Sequence, residues 1–544
     1  NDFWSPFWTQ EPIAYPEELQ TLLSHMPHCD ITPCPPDLEL WIQAIHSLKA
    51  RSARGVDKIS ARELQLLPPA AINDLMWIMH SSQQGFPAWL MWCRTFPIPK
   101  NPGDVSPAQI RPISVLAQTY RLWSKIQSKH AMRQIANRLP PGITGFVPGK
   151  GPYDACYEQQ WIMENYKNLG THISGFSIDL LKCFNTIDYE AAAQALLFLG
   201  LPLALVKQWK NSLQALTRSW ILKNQVSVPK TISRGCPEGD PLSVLIMIAI
   251  STGWITAVQA QTATHLTAYA DNWGWLSTNP RTHSDVLKVT QKYTAAFTMH
   301  VDWAKSWIWM SNKSHLPTIK SAIKQHLGNT TLKHLLSAND PGGQMTYRGP
   351  PKLGKSKQRF EEAERRLRRL QKMPQDIHAK THMVLVGIFP QVFYASALLP
   401  IGSQHANTLR TSIANAILGP SVSRNSAIAI QVLPKMMDPM VVLIQNAICQ
   451  AHRFLHKATP GTVQSFLRIV ATHDGASHHC SGPASCLAYY LTKIGWHMDA
   501  KGWIQTSAFQ WHNLLTTSRK TWKRLIQVEW EQTLLTLYTD RKAL

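Results

Sequence analysis

Three short strings in this sequence hold carboxylates, glycines and aromatic rings at spacings that could do chemistry. The first, Phe176-Ser177-Ile178-Asp179-Leu180-Leu181-Lys182-Cys183-Phe184-Asn185-Thr186-Ile187-Asp188, is an apolar run that ends in a carboxylate and has an aromatic ring five residues later. The second, Arg234-Gly235-Cys236-Pro237-Glu238-Gly239-Asp240-Pro241-Leu242-Ser243, opens an apolar helix with two glycines and two prolines, and such a backbone can approach a ligand closely. The third, Tyr269-Ala270-Asp271-Asn272, sits between two apolar runs. Each has a bland reading as well. A strand-end Asp caps the turn that follows, glycine and proline suit any loop-to-helix junction, and Asp-Asn suits a hairpin turn.

The elements that must position these strings alternate in type. His172 to Asp179 and His265 to Asp271, the latter followed by Trp273-Gly274-Trp275-Leu276, read as buried strands with helical text between them. Phe96 to Gly103 and Ile110 to Ser114 read as extended, proline-bearing strands at a sheet edge. Helical patterns cover Asp37 to Ala50 and the basic stretch Tyr120 to Leu139, and the apolar stretch Leu242 to Val258 reads as a buried helix, not a membrane span. The result is an α+β core. From Lys355 the text turns helical: Phe360, Ala363, Leu367 and Leu370 share one stripe, Arg365, Arg366, Arg368, Arg369 and Lys372 occupy other faces, and Glu361, Glu362 and Glu364 are assigned to the first turn. The first 36 residues, rich in Pro and Trp, read as an extended arm laid over something larger, and Leu487 to Leu544 reads as a small helical unit.

The 544 residues carry 55 Lys+Arg against 33 Asp+Glu, a net charge of +22, with 44% hydrophobic residues. A chain this apolar folds, and a charge this positive favours a polyanion, nucleic acid before an anionic membrane. Nine scattered cysteines, an odd number, argue against a disulfide framework and for an intracellular, reducing compartment, without choosing nucleus or organelle. Asn1 in place of an initiator Met suggests a piece of a longer chain.

Taken together in this order and spacing, the three strings resemble motifs A, B and C of the reverse transcriptases, and most nearly the LINE-type (non-LTR) and group II intron-like enzymes. Arg54-Gly55-Val56-Asp57, Ile98-Pro99-Lys100 and Arg111-Pro112-Ile113-Ser114 fit the same family, as do Asp302-Trp303-Ala304-Lys305-Ser306 as motif D and Met345-Thr346-Tyr347-Arg348-Gly349 as a degenerate motif E. The resemblance implies a right-hand polymerase. It assigns an N-terminal extended arm and first helix to 1–50, fingers to 51–170, a palm to 171–350, a helical thumb to 351–460 and a C-terminal helical extension to 461–544.

It also implies two-metal phosphoryl transfer, in which hard cations about 3.5–4 Å apart need carboxylate oxygens. Asp179, Asp271 and the Leu180 carbonyl would hold two Mg²⁺, with Mn²⁺ as an alternative. Phe184 would be the steric gate that favours dNTP over rNTP, and Lys100 and Arg111 would bind the triphosphate. Gly235, Pro237, Glu238, Gly239 and Asn272 would border the nucleotide, and Lys305 would protonate pyrophosphate. The implied partners are an RNA template, an RNA–DNA or DNA primer duplex held by the basic helix, and other proteins of a ribonucleoprotein, with no membrane.

Two positions depart from the family: Asn272 replaces the second motif C carboxylate, and Glu238 replaces the glutamine of motif B. The first expectation is therefore RNA-directed DNA synthesis. The alternative is a reverse-transcriptase-derived, catalytically inactive RNA-binding component of a ribonucleoprotein. RNA-directed RNA synthesis is opposed by Phe184. Two Cys/His clusters, His25 to Cys34 and His473 to Cys486, lack the paired Cys-x2-Cys of common zinc sites, so zinc is not expected. No nuclease string is read in the chain.

Overall fold

The computed structural model describes residues 3–9, 16–82, 84–339, 342–349, 354–434 and 436–539. The chain divides into two compact units. One comprises Asn1–Gly151, Gly175–Ile308 and Leu316–Lys333, the other Pro152–Ser174, Trp309–His315 and His334–Leu544.

The first unit is mixed α/β. Its strands include β1 (Trp92–Pro99), β2 (Ile110–Val115), β3 (Ser174–Asp179, all but its first residue), β4 (Thr217–Leu222), β5 (His265–Tyr269) and β6 (Asn272–Ser277), with the first half of β7 (Trp307–Met310). One sheet runs β2-β1-β4 and the other β7-β3-β6-β5. β1 is flanked on both sides only over Arg94–Thr95, by β2 antiparallel and β4 parallel, and from Phe96 on, the stretch the prolines mark as an edge, it pairs with β2 alone. Pro97 and Pro99 lie beyond the reach of β4, and Pro97 faces Pro112 of the true edge strand β2. Lys100 N donates to Gln109 O at 2.9 Å, so by the alternation of an antiparallel ladder the Pro97/Pro112 pair falls at a non-hydrogen-bonded position, where a missing N–H costs nothing.

Beneath the second sheet lies the Pro241–Gln259 helix, long and apolar enough to cross a membrane and buried on nearly all sides within the unit. Its Trp254 stacks on Trp273 of β6 with ring centroids 4.5 Å apart, and Trp275 stacks on Phe176 of β3 at 4.6 Å. The indole N–H groups are satisfied in turn: Trp254 donates to Thr290, Trp273 to Ser251 and Trp275 to His283. Large rings with a paired polar edge bury much area without an orphaned donor, so this layer is a firm floor for the β5–β6 hairpin.

The N-terminal arm is extended only in part, since residues 27–37 carry no helix while the chain before them does. It forms short helices, Ser5–Trp8 and Pro16–Leu23, while its middle, 10–15, lies outside the described residues. It is indeed laid over the unit, for Trp4 and Trp8 are buried at 3% and 1% exposure.

The second unit is mainly helical. Gly354–Gln371 buries Phe360, Ala363, Leu367 and Leu370, as the stripe predicts, and leaves Arg365, Arg366, Arg368, Arg369 and Lys372 exposed. The helix starts at Gly354, so Glu361, Glu362 and Glu364 stand in its middle turns, not the first. Glu362 is placed by ion pairs instead, at 2.7 Å to Arg365 and 3.0 Å to Arg366. The helical reading of the last stretch is also incomplete. Three short antiparallel strands, β8 (His497–Met498), β9 (Trp503–Gln505) and β10 (Trp511–Asn513), precede the Arg519–Thr539 helix, and strands of two or three residues carry too little alternation to be read from sequence.

Candidate active site

β3 ends at Asp179, and the β5–β6 register, His265↔Leu276 through Tyr269↔Asn272, leaves Ala270-Asp271 as a two-residue turn. Asp271 thus sits in the turn and not on a strand. Ala270 takes φ +54°, a left-handed conformation that glycine normally supplies at the first central position of such turns, so the hairpin tip is strained. A backbone contact clamps the tip just past the end of β3, Leu180 N donating to Asp271 O at 3.0 Å, and a second holds the Asp302 loop there, Asp302 N donating to Asp179 O at 2.7 Å.

Burial, and then the charge of Asp179, push the Asp271 carboxyl above its usual range, with Lys305 and Arg111 opposing. The two carboxylates therefore feel one another across the site. A divalent cation would relieve that repulsion, so the donor set fits a hard metal ion. Asn272 Nδ2 lies 3.4 Å from Asp271 Oδ1 and donates to it, where an aspartate would add a third negative charge. Lys305 Nζ lies 3.2 Å from Asp179 Oδ2 and also contacts Asp302 Oδ2. Burial alone would lower the Lys305 pKa, but the bond to Asp302 and the charge of Asp179 outweigh it and hold the ammonium above its usual value.

The second string wraps against the first and against β2. Gly235, at φ +93°, passes so close to Asn185 that a Cβ would meet its carbonyl oxygen at 2.7 Å, and a Cβ on Gly239 would meet the Ser114 carbonyl at 2.0 Å. Only glycine permits both approaches. Asp240 caps the apolar helix through Leu242 N and accepts from Tyr120 and Ser124, and burial pushes its carboxyl up to about 6. Glu238 accepts from Asn185 Nδ2 at 2.8 Å on one oxygen, and its other oxygen is buried with no hydrogen-bond partner. Burial raises its pKa.

These elements enclose a cavity of about 650 Å³ lined by Lys100, Arg111, Asp179, Leu180, Phe184, Glu238, Asp271, Asn272 and Lys305. Gly235, Pro237 and Gly239 shape the loop without lining the cavity. The cations Arg365, Arg366, Arg368, Arg369 and Lys372 belong to the second unit and have no part in it. Among the described residues no three His, Cys, Asp or Glu converge as a metal cluster, and neither Cys/His cluster does so.

Sequence reasoning missed several residues of the cavity. Phe3, Trp4, Phe7 and Lys182 line it too. Trp8 Nε1 donates to Asn185 Oδ1 at 2.8 Å, and Arg234 holds the carbonyls of Phe7 and Pro6 at 2.9 and 2.8 Å. Lys182, itself at φ +49°, places its ammonium 4.2 Å from the Trp4 ring and 3.0 Å from the Ala108 carbonyl. Burial, with Lys100 and Lys305 nearby, lowers its pKa to about 8. The density of tryptophan in the arm was the available signal, but nothing in the string says which distant side chains those rings meet.

Residues 98–337 match the reverse transcriptase (RNA-dependent DNA polymerase) family. The chain is 23% identical over 289 residues to the probable RNA-directed DNA polymerase from transposon BS of Drosophila melanogaster, covering 51% of this chain and 31% of that protein. It is 21% identical over 206 residues to the transposon TX1 uncharacterized 149 kDa protein of Xenopus laevis, covering 36% of this chain and 16% of that one. The chain thus spans less than a third of the length of these relatives. All three strings fall inside the segment that matches the reverse transcriptase family, and of the cavity lining only Phe3, Trp4 and Phe7 lie outside it.

Proposed function

We propose that this chain is an RNA-directed DNA polymerase of the LINE-type or group II intron-like kind that adds dNTPs to a primer. The observation that carries the reading is the convergence of Asp179, Asp271, Arg111, Phe184 and Lys305 on one cavity. Asp179, Asp271 and the Leu180 carbonyl would hold Mg²⁺, which would supply Lewis-acid stabilisation to the phosphoryl transfer. Arg111 and Lys100 bind the triphosphate, Phe184 packs under the sugar and excludes a 2′-hydroxyl, and Lys305, kept protonated by Asp179 and Asp302, gives its proton to pyrophosphate. The chain is read as a right hand within the boundaries set out above: arm, fingers, palm, helical thumb and C-terminal extension. Its substrates are an RNA template, a primer duplex and dNTPs, and its site is an intracellular, reducing compartment.

A second reading has Asn272 in its favour. With one carboxylate fewer at the turn, the chain is a reverse-transcriptase-derived RNA-binding component of a ribonucleoprotein that no longer polymerises. Primer extension with Mg²⁺ or Mn²⁺ decides. On the first reading wild-type protein extends, Asp179→Ala abolishes extension while RNA binding persists, and Phe184→Ala raises rNTP use relative to dNTP. Wild-type protein inactive on every template and primer, with both metals, would leave the second reading standing.

A further inference from the structure

The small sheet of the second unit presents two unlike faces. Its register sets His497, Gln505 and Trp511 in one row and Trp503 beside Asn513 in the next. Side chains alternate along a strand, so these five share a face, while Met498, Ile504 and His512 share the opposite one. Met498 and Ile504 are buried at 8% and 0% exposure and join the hydrophobic core of the unit. Trp503 and Trp511, by contrast, stand 43% and 51% exposed. The neighbouring rings are hidden: Trp496 and Trp522, on either side of the sheet in sequence, are buried at 1% and 0%. Two indoles left in water on one face of so short a sheet form an apolar patch with no structural need to be there.

The chemistry around them selects a partner. Between 493 and 520 the chain carries Lys493, Lys501, Arg519 and Lys520, all exposed, against the single carboxylate Asp499. Flat π surfaces with cations near them in the chain suit a strand whose bases are unpaired, because bases stack on rings while phosphates meet ammonium and guanidinium groups, although Lys493 lies over the Tyr489 ring and Arg519 reaches His452. A duplex hides its base faces. Gln505 and His497, on the same face as the rings, supply hydrogen-bonding groups of the kind a ribose 2′-hydroxyl uses.

We propose that the outer face of the β8–β10 sheet is a stacking platform for single-stranded RNA, with Trp503 and Trp511 each receiving a base. It lies outside the matched reverse transcriptase segment and does not depend on polymerisation.

The test is binding of the whole chain to a labelled 12-nucleotide RNA, the matching DNA strand, an RNA duplex and an abasic strand with the same phosphates. Trp503→Ala and Trp511→Ala should each weaken single-stranded RNA binding about fivefold or more, with a larger loss for the double variant and substantial recovery with Phe at each position. Affinity for the duplex and the abasic strand should stay level, as should the melting temperature, since both side chains face solvent. A photocrosslinkable 4-thiouridine in the RNA should attach within 503–511. The proposal is overturned if the double variant keeps its RNA affinity, if the abasic strand loses as much as the RNA, or if crosslinks fall elsewhere. Unchanged RNA affinity with loss of a self-associated state would assign the face to a protein contact instead.

Discussion

Two aspartates, one in each unit, show what separates a structural carboxylate from one that borders a cavity. Asp438 is wholly buried and saturated: Arg410 Nη2 and Nε lie 3.0 and 3.1 Å away, Trp530 Nε1 donates at 2.9 Å, and Met440 N donates at 2.9 Å as a helix cap. Asp271 borders a cavity, receives one long bond from Asn272, and has a second carboxylate close enough to raise its pKa. The same side chain is thus neutralised by the fold in one place and kept short of positive charge in the other. Protein donors complete the first, whereas the second keeps one side-chain donor, Asn272.

The sharpest way to break this contrast is to delete each carboxylate. Asp438→Ala should cost about 3–5 kcal/mol, because it leaves the Arg410 guanidinium buried without its partner, and should show as a large drop in melting temperature. Asp271→Ala should leave the melt unchanged or slightly improved and abolish primer extension. Equal destabilisation by the two substitutions would erase the distinction.

Asn272→Asp should have the next largest effect, raising extension while making the protein's melting temperature more dependent on Mg²⁺, since it adds a charge beside an already crowded carboxylate. A melt that responds to Mg²⁺ no more than wild type would place the new carboxylate away from the metal position.

Asp240 offers an intermediate case, buried and hydrogen-bonded but facing no cation. Its folded pKa of about 6 exceeds the ordinary 3.8, so the fold prefers the protonated form. That contribution is complete below about pH 4 and is lost as pH rises through 6. Denaturant unfolding of Asp240→Asn should therefore show a flatter dependence on pH between 4 and 7 than wild type.

The smallest effect is expected on the surface helix, where Arg365 and Arg366 are already tied to Glu362. Replacing Arg368, Arg369 and Lys372 with Gln should shallow the slope of log affinity for RNA against log salt by somewhat under one unit per lost phosphate contact. Replacing Arg365 and Arg366 should change it less.

How much of this was legible in the residues depended on the range of the interaction. Local periodicity announced the Pro241–Gln259 helix, the β5–β6 hairpin and the buried stripe of Gly354–Gln371, because each is decided within one turn or one strand pair. The joint appearance of Asp179, the Gly235–Gly239 loop and Asp271 likewise pointed to one site. What stayed hidden was decided elsewhere. The left-handed Ala270 has no glycine to betray it, and the true neighbours of β1 depend on where β4 stops. The aromatic wall from Phe3 to Trp8 reaches the cavity through partners that no local pattern predicts.

That wall also sets an order of events during synthesis. The indole of Trp8 meets the amide of Asn185 across a separation of 177 residues and the segment is gripped by Arg234 still later, so it has no seat while the intervening chain is being made. At about 5–20 residues per second that interval is roughly 10–35 s, during which a cluster of Phe and Trp is exposed on the nascent chain. The cavity is therefore completed by one of the most non-local contacts in its unit, and its aromatic wall can seat only late in synthesis.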